Sequence, residues 1–343
     1  MAVTIRPADC ESDRSIIIAM LRALTLHSDE RRFDWLYRQN PHGPARAWIA
    51  EDEGHAIGMA AAFPRRLLVS GDVREVWVLG DFYIDSQYRS LGPAIQLQRA
   101  VLDAVQRATM LAGYYDFPSR PMAAVYKRLG IRDEGTLIRM AKPLRADRVV
   151  SALCGPMLSK IVSPLVNVGL AVGVHMNGTD PAFSVQSHTG RFGSEFDRLV
   201  QEAGAAYSAC IERSADYLNW RYADHPSEQY ECLVARQSGR LCGYVIFSCA
   251  ARDAILFDVF SLNLESIPYR LLRRLAKDLW KRGVFTVSAS VVEGHPWRNT
   301  LERAGFRARE TSPFIVSPGP NERDPLFREP GASWYFMQGD RDS

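Results

Sequence analysis

The chain has 343 residues, 47% of them hydrophobic, with 42 basic against 39 acidic side chains and a formal net charge of +3. That length and apolar content suffice for two ordinary cores. The near-balanced charge, with no Lys/Arg run or basic tail, argues against a nucleic-acid partner. Six scattered cysteines (Cys10, Cys154, Cys210, Cys232, Cys242, Cys249) form no C-x-x-C pair, and no His cluster has zinc spacing. They read as thiols of a reducing compartment, no metal is expected, and the N-terminus does not read as a signal peptide. A cytoplasmic enzyme is the expectation.

Val3–Ile5 reads as a first strand, and a helix is expected from Asp13 through Ile16, Ile17, Met20, Leu21 and Leu24. A second helix around Phe33–Asn40 is ended by Pro41. Strands follow at 48–50 and 58–63 around a turn at Glu53-Gly54, then at 65–69 and 75–84 around Ser70-Gly71-Asp72. The last of these leads into the polar turn Arg89-Ser90-Leu91-Gly92-Pro93-Ala94 and an amphipathic helix with Ala94, Leu97, Val101, Ala104 and Val105 on one face. A glycine-containing turn that feeds a helix N-terminus offers unpaired amides to an anion, and Gly92 lets it approach the backbone closely. Pro93 brings no N–H to this turn but suits the first turn of a helix. A strand is expected at 110–117, and a short helix carries Val125-Tyr126-Lys127-Arg128-Leu129 to Gly130-Ile131.

Residues 148–174 are apolar but interrupted by Lys160, Pro156, Pro164 and several glycines, whereas a membrane-spanning helix wants about 20 unbroken apolar residues. They read as a helical connector in preference to an interfacial membrane contact, followed by a polar link at 177–193. Beyond it the first half repeats. Trp35, Tyr37, Pro41, Ala50, Gly54 and Gly58 return as Trp220, Tyr222, Pro226, Ala235, Gly239 and Gly243, each shifted by 185 positions. A fixed offset over six residue types implies a tandem duplication.

The turn from Arg89 to Ala94, with its strand and Tyr88-Arg89, resembles the acyl-CoA pyrophosphate loop of the GNAT acyltransferase family, Arg/Gln-x-x-Gly-x-Gly/Ala. Tyr126-Lys-Arg-Leu-Gly-Ile resembles that family's second CoA-contacting segment, usually Tyr-x-Lys/Arg-x-Gly-Phe. The resemblance implies an α/β fold of two tandem GNAT-like domains, each a mostly antiparallel mixed central sheet flanked by helices. The boundaries read from it are a catalytic domain at 1–143, the connector at 144–205 and a degenerate copy at 206–343. The second copy has Ser261–Tyr269 where the phosphate loop would repeat and Leu301 where Tyr126 would, so it is expected to have lost the cofactor.

By the same resemblance the activity is N-acyl transfer, most often acetyl, from acetyl-CoA to a small-molecule amine, an amino sugar of polysaccharide synthesis being one acceptor. The intact CoA loop argues against the aminoacyl-tRNA-using tandem relatives. Arg89, Ser90, Leu91, Gly92, Pro93, Ala94, Ser119 and Tyr126 would contact CoA. Backbone amides of Phe82, Tyr83 and Ile84 would serve the acyl carbonyl, and Tyr126 would protonate the thiolate. Asp81 is the first choice of base, since a carboxylate among apolar neighbours is shifted toward neutral pH. A turn-capping role for it stays open, as do Glu75, Asp116 and a water-relayed path. Asp224-His225-Pro226 and His295-Pro296-Trp297 read as turns, and the repeated Trp/Tyr pairs as architecture. A non-catalytic acyl-CoA-binding or scaffold protein of the same fold is the alternative function.

Overall fold

The structure is a computed structural model that describes residues 3–24, 29–69, 71–89, 91–131, 135–147, 183–323 and 334–341, with a few isolated positions besides. Ser90 and nearly all of 148–174 lie outside the described residues, as do the cofactor and connector expectations placed on them. Among the described residues no helix is long and apolar enough to cross a membrane.

The first half opens with β1 (Thr4–Ala8) and α1 (Arg14–Leu24), which buries Ile17, Ile18, Met20 and Leu21. One helical turn, α2 (Glu30–Phe33), runs into a π-helical turn (Asp34–Arg38) closed by Gln39 N–H to the Asp34 carbonyl at 3.0 Å. An antiparallel meander follows: β2 (Arg46–Asp52), β3 (His55–Val69) and β4 (Asp72–Ile84). Where two strands are expected at 58–63 and 65–69, β3 is one strand that passes through Pro64. Its flanking pairings explain why: β2 pairs with β3 as far as Ala62, and β8 (Ala209–Ile211) begins only at Leu67. The missing proline N–H therefore falls in a gap, where it costs no ladder bond.

Then come α3 (Leu91–Arg107), β5 (Gly113–Asp116), α4 (Arg120–Arg128) and β6 (Gly135–Pro143). The second half contains β7 (Phe183–His188), α5 (Ser194–Ala203), β8, α6 (Ala215–Leu218) with its own π-helical turn (Asn219–Ala223), β9 (Glu231–Gln237) and β10 (Arg240–Ala250). It continues with β11 (Asp253–Ser261), α7 (Ser266–Lys281), β12 (Thr286–Val292), α8 (Arg298–Arg303), β13 (Arg307–Pro318) and β14 (Trp334–Tyr335). Two of these elements revise the expected boundaries. β7 pairs with β9, and α5 buries Phe196, Leu199 and Val200 in the second core, so the second unit begins inside the span expected as connector and polar link.

The duplication is visible in the backbone. β2 and β9, the starts of β3 and β10, and both π-helical turns keep the 185-residue offset, and both hairpin turns use left-handed pairs, Glu53-Gly54 and Ser238-Gly239.

The described strands join one sheet in the order β1-β2-β3-β4-β5-β13-β6-β12-β11-β10-β9-β7, with β8 pairing β3 and β14 off this path. The centre of that order is an exchange. β13, from the second half, pairs with β5 through Ile315–Pro318 and with β6 through Arg307–Phe314, while β6, from the first half, pairs with β12. Each half thus places its late strand inside the other. Neither core closes without it, because β5 would present an open edge. On the first half's sheet, α1 and α2 cover one face with Phe33, Tyr37, Phe63, Phe117, Phe314 and Phe336 in its core. Helices α3 and α4 cover the other with Trp77, Leu97, Val101, Val125 and Tyr126.

Candidate active site

β4 and β5 are parallel and paired only from Val76–Val78 to Gly113–Tyr115. Beyond Val78, β4 continues to Ile84 with no strand paired on its β5 side, and the two strands part into a cleft. β4 also bulges there: Ala61 pairs with Gly80 and Met59 with Tyr83, so Asp81 and Phe82 together face Ala60. Asp81 adopts φ +46°, a left-handed conformation that aspartate tolerates better than most residues.

The Asp81 carboxylate is held from both sides. Arg32 donates two bonds to it at 3.0 and 2.8 Å, and the Tyr37 hydroxyl donates a third at 2.9 Å. Burial, with Asp81 beside it, pushes the Tyr37 phenol well above its ordinary value, so it stays a neutral donor. The apolar surroundings that favoured Asp81 as base are therefore replaced by a guanidinium and a phenol. Both oxygens are engaged, which suits a carboxylate that fixes the bulge. Glu75 is exposed at the opposite end of β4, bonded by the Trp77 indole at 3.2 Å, and is remote from the cleft.

On the α3–α4 face, Tyr126 is fully buried; its hydroxyl donates to Asp116 at 2.6 Å and accepts from Gln98 at 3.1 Å. Asp116 ends β5, where the strands have parted, so the Tyr126–Asp116 pair stands at the root of the cleft. α4 carries Tyr126 there. It starts on Ser119, whose hydroxyl accepts the Met122 N–H at 3.4 Å, so Ser119 acts as a helix cap.

The turn after β4 places Gly92 exposed and Ala94 buried at the start of α3, whose first turn has no acidic residue to compete with an anion. Pro93 withholds one amide from this site. Arg89 is exposed, with its Nε 3.4 Å from the Ile84 carbonyl, and so sits against the free end of β4. Phe82 and Tyr83 are half-buried beside it, and Ile84 is buried.

The second half has the same plan with its opening filled. β11 and β12 pair only from Asp253–Leu256 to Thr286–Ala289, and the chain itself enters the gap beyond. There Tyr335 is fully buried against Tyr207, Phe260, His295 and Trp297, and Met337 bridges to Val291. Asp258 of β11, buried like Asp81, is held by Arg213 at 3.2 Å and by the hydroxyls of Tyr244 and Tyr335 at 3.0 and 3.3 Å. Leu301 is buried at the place of Tyr126. His295 and His225 both accept backbone amides through Nδ1, from Trp297 and from Glu228, as turn residues do.

Sequence reasoning missed Arg32, Tyr37 and Gln98, which hold the proposed catalytic groups, and the strand exchange. Only Tyr37 left a trace, through its repeat at Tyr222. Among the described residues no cluster of His, Cys, Asp or Glu could hold a metal ion.

Residues 16–131 match the acetyltransferase (GNAT) family. No curated protein matches the chain in sequence. Among solved structures, the chain is similar to a probable N-acyltransferase from Enterococcus faecalis V583 (TM-score 0.64, 10% identity, covering 93% of this chain and 73% of that one). It is also similar to a GCN5-related N-acetyltransferase from Anabaena variabilis (TM-score 0.64, 12% identity, 92% and 72%). The N-myristoyltransferase of Saccharomyces cerevisiae, solved with myristoyl-CoA, gives a TM-score of 0.56 at 11% identity, over 97% of this chain and 89% of that one. At such identities these likenesses show the fold alone, and the family match covers residues 16–131 within it.

Proposed function

We propose that the protein is an acyl-CoA-dependent N-acyltransferase, most simply an acetyltransferase, acting on a small amine such as an amino sugar. The observation that supports this reading is one arrangement: β4 runs past the end of its pairing with β5 beside the α3 N-terminus, and the Tyr126–Asp116 pair stands at the end of β5.

Bound acyl-CoA supplies a thioester whose carbonyl carbon gains the amine nitrogen as its carbon–sulfur bond breaks. Arg89 and the amides of Gly92 and Ala94 hold the phosphates, with Leu91 and Pro93 shaping the turn. The free edge of β4 at Phe82–Ile84 offers amides to the acyl oxygen. Tyr126, oriented by Gln98 and Asp116, turns its proton from Asp116 to the departing thiolate. The amine gives up its proton through water, and Asp81 keeps the bulge in shape. The second half closes the sheet and fills its own gap, so the chemistry occurs once per chain.

Engagement of both Asp81 oxygens favours one competing reading, an acyl-CoA binder without turnover. Incubation with acetyl-CoA and a panel of amines and amino sugars, followed by thiol release, separates the two. Release with any amine supports the enzyme. Thermal stabilisation by CoA with no release on the whole panel favours the binder, and no CoA binding sinks both.

A further inference from the structure

Beside the end of β5, on the sheet face opposite Tyr126, lies a cation that comes from the end of the second half. Phe117 follows Asp116 at the end of β5 and belongs to the core of the α1–α2 face, opposite Tyr126. The guanidinium of Arg341 lies over its ring, 5.5 Å from the centroid. Tyr37 of the same core bonds Asp81, which pairs with Arg32 at 2.8 Å. Arg341 has no carboxylate within salt-bridge distance among the described residues, and its Nε is buried without a hydrogen-bond partner.

The position of Arg341 is built with care. Arg221 donates to the carbonyls of Gly339 (2.9 Å) and Arg341 (3.4 Å). The Tyr115 hydroxyl donates to the Asp340 carbonyl at 2.9 Å, and Arg213 grips the Asp340 carboxylate with two bonds at 2.8 Å. Arg213 and Arg221 are essentially inaccessible to solvent, so the backbone that presents Arg341 is fixed from within. A guanidinium stacked on an aromatic ring keeps its in-plane N–H groups for a planar or tetrahedral anion.

We infer that the acceptor amine carries a carboxylate or phosphate, and that Arg341, supplied by the end of the second half, binds that group. This rests on the acyl-transfer reading above and narrows it to an anionic acceptor. The second copy would then contribute acceptor specificity to the first copy's chemistry.

The test uses the full chain, acetyl-CoA and matched amines that differ by one anionic group: glucosamine against glucosamine 6-phosphate, and tyramine against tyrosine. The pair that responds tells phosphate from carboxylate. The wild type should favour the anionic member of one pair by about 10- to 100-fold in kcat/KM, mainly through KM. Arg341→Gln should bring that ratio close to one, and Arg341→Lys should restore part of it, with folding of both checked by thermal melting. Equal use of neutral and anionic members by the wild type overturns the inference and leaves acyl transfer standing. So does a ratio that survives in Arg341→Gln. Absence of acetyl-CoA binding in calorimetry overturns the acyl-transfer reading itself, and the inference with it.

Discussion

Trp35 and Trp220, 185 positions apart, hydrogen-bond to each other's backbone. The Trp35 indole N–H reaches the Trp220 carbonyl at 2.7 Å, the Trp220 indole reaches the Trp35 carbonyl at 2.8 Å, and the rings stack with centroids 4.8 Å apart. Each lies in a π-helical turn, where one extra residue loosens the helical ladder and frees a carbonyl for an outside donor. The pair marks the pseudo-symmetric centre of the molecule and explains why the motif occurs twice: each copy is the other's partner.

Replacing either indole by phenylalanine strands a buried carbonyl. Trp35→Phe and Trp220→Phe are each expected to cost about 1–3 kcal/mol of stability in denaturant titration. The double variant should cost less than the sum by about 0.5–1.5 kcal/mol, since the stacking is lost only once. Strict additivity would show that the two rings do not support each other.

The strand exchange predicts that the halves cannot be separated. Residues 1–147 lack β13, which lies between β5 and β6, and should show no cooperative melt. Co-expression with residues 183–343 should restore one. A fragment 1–147 that melts cooperatively by itself would contradict the pairing.

At the α3 N-terminus, Gly92→Val places a branched side chain where phosphate must approach backbone. CoA affinity measured by calorimetry should fall at least about tenfold, equivalent to about 1.4 kcal/mol. Wild-type affinity in that variant would remove the turn from the binding site.

Tyr126→Phe removes the proton donor and leaves Asp116 and Gln98 without its hydroxyl. The expected loss in kcat is about 10²- to 10⁴-fold, with CoA affinity much less affected. Asp81→Asn separates the two roles open to that residue. A positioning carboxylate gives lower activity with an unaltered pH profile, whereas loss of the acidic limb of the profile would restore Asp81 as the base.

Acid should weaken the fold through two histidines, His295, which is buried, and His225, which is half-buried. Burial, with Arg213 beside one and Arg221 beside the other, pushes His295 and His225 down to about 3. Between about pH 6.5 and 3 the unfolded chain binds protons that the folded chain refuses, so their contribution to stability is full above 6.5 and falls as pH drops through that window. Asp340, pushed up by burial, acts in the opposite sense over its own range. Melting temperatures at pH 7 and pH 5 should therefore differ less in His295→Gln than in the wild type; an equal difference would show that His295 is not kept neutral.

Local pattern in the sequence determined much of this protein. Alternating and β-branched runs specify β2, β4 and β11, and helical spacing specifies α1, α3 and α7. The 185-residue offset reveals the duplication, because turns and hairpins are encoded by neighbours in the chain. Tertiary structure alone decided what depends on residues far apart: that β13 enters the first half and β6 the second, that Arg32 and Tyr37 close on Asp81, and that Arg341 reaches Phe117. These pairings rest on edge closure and on the cost of leaving buried charge unpaired, and neither force leaves a periodic trace along the chain.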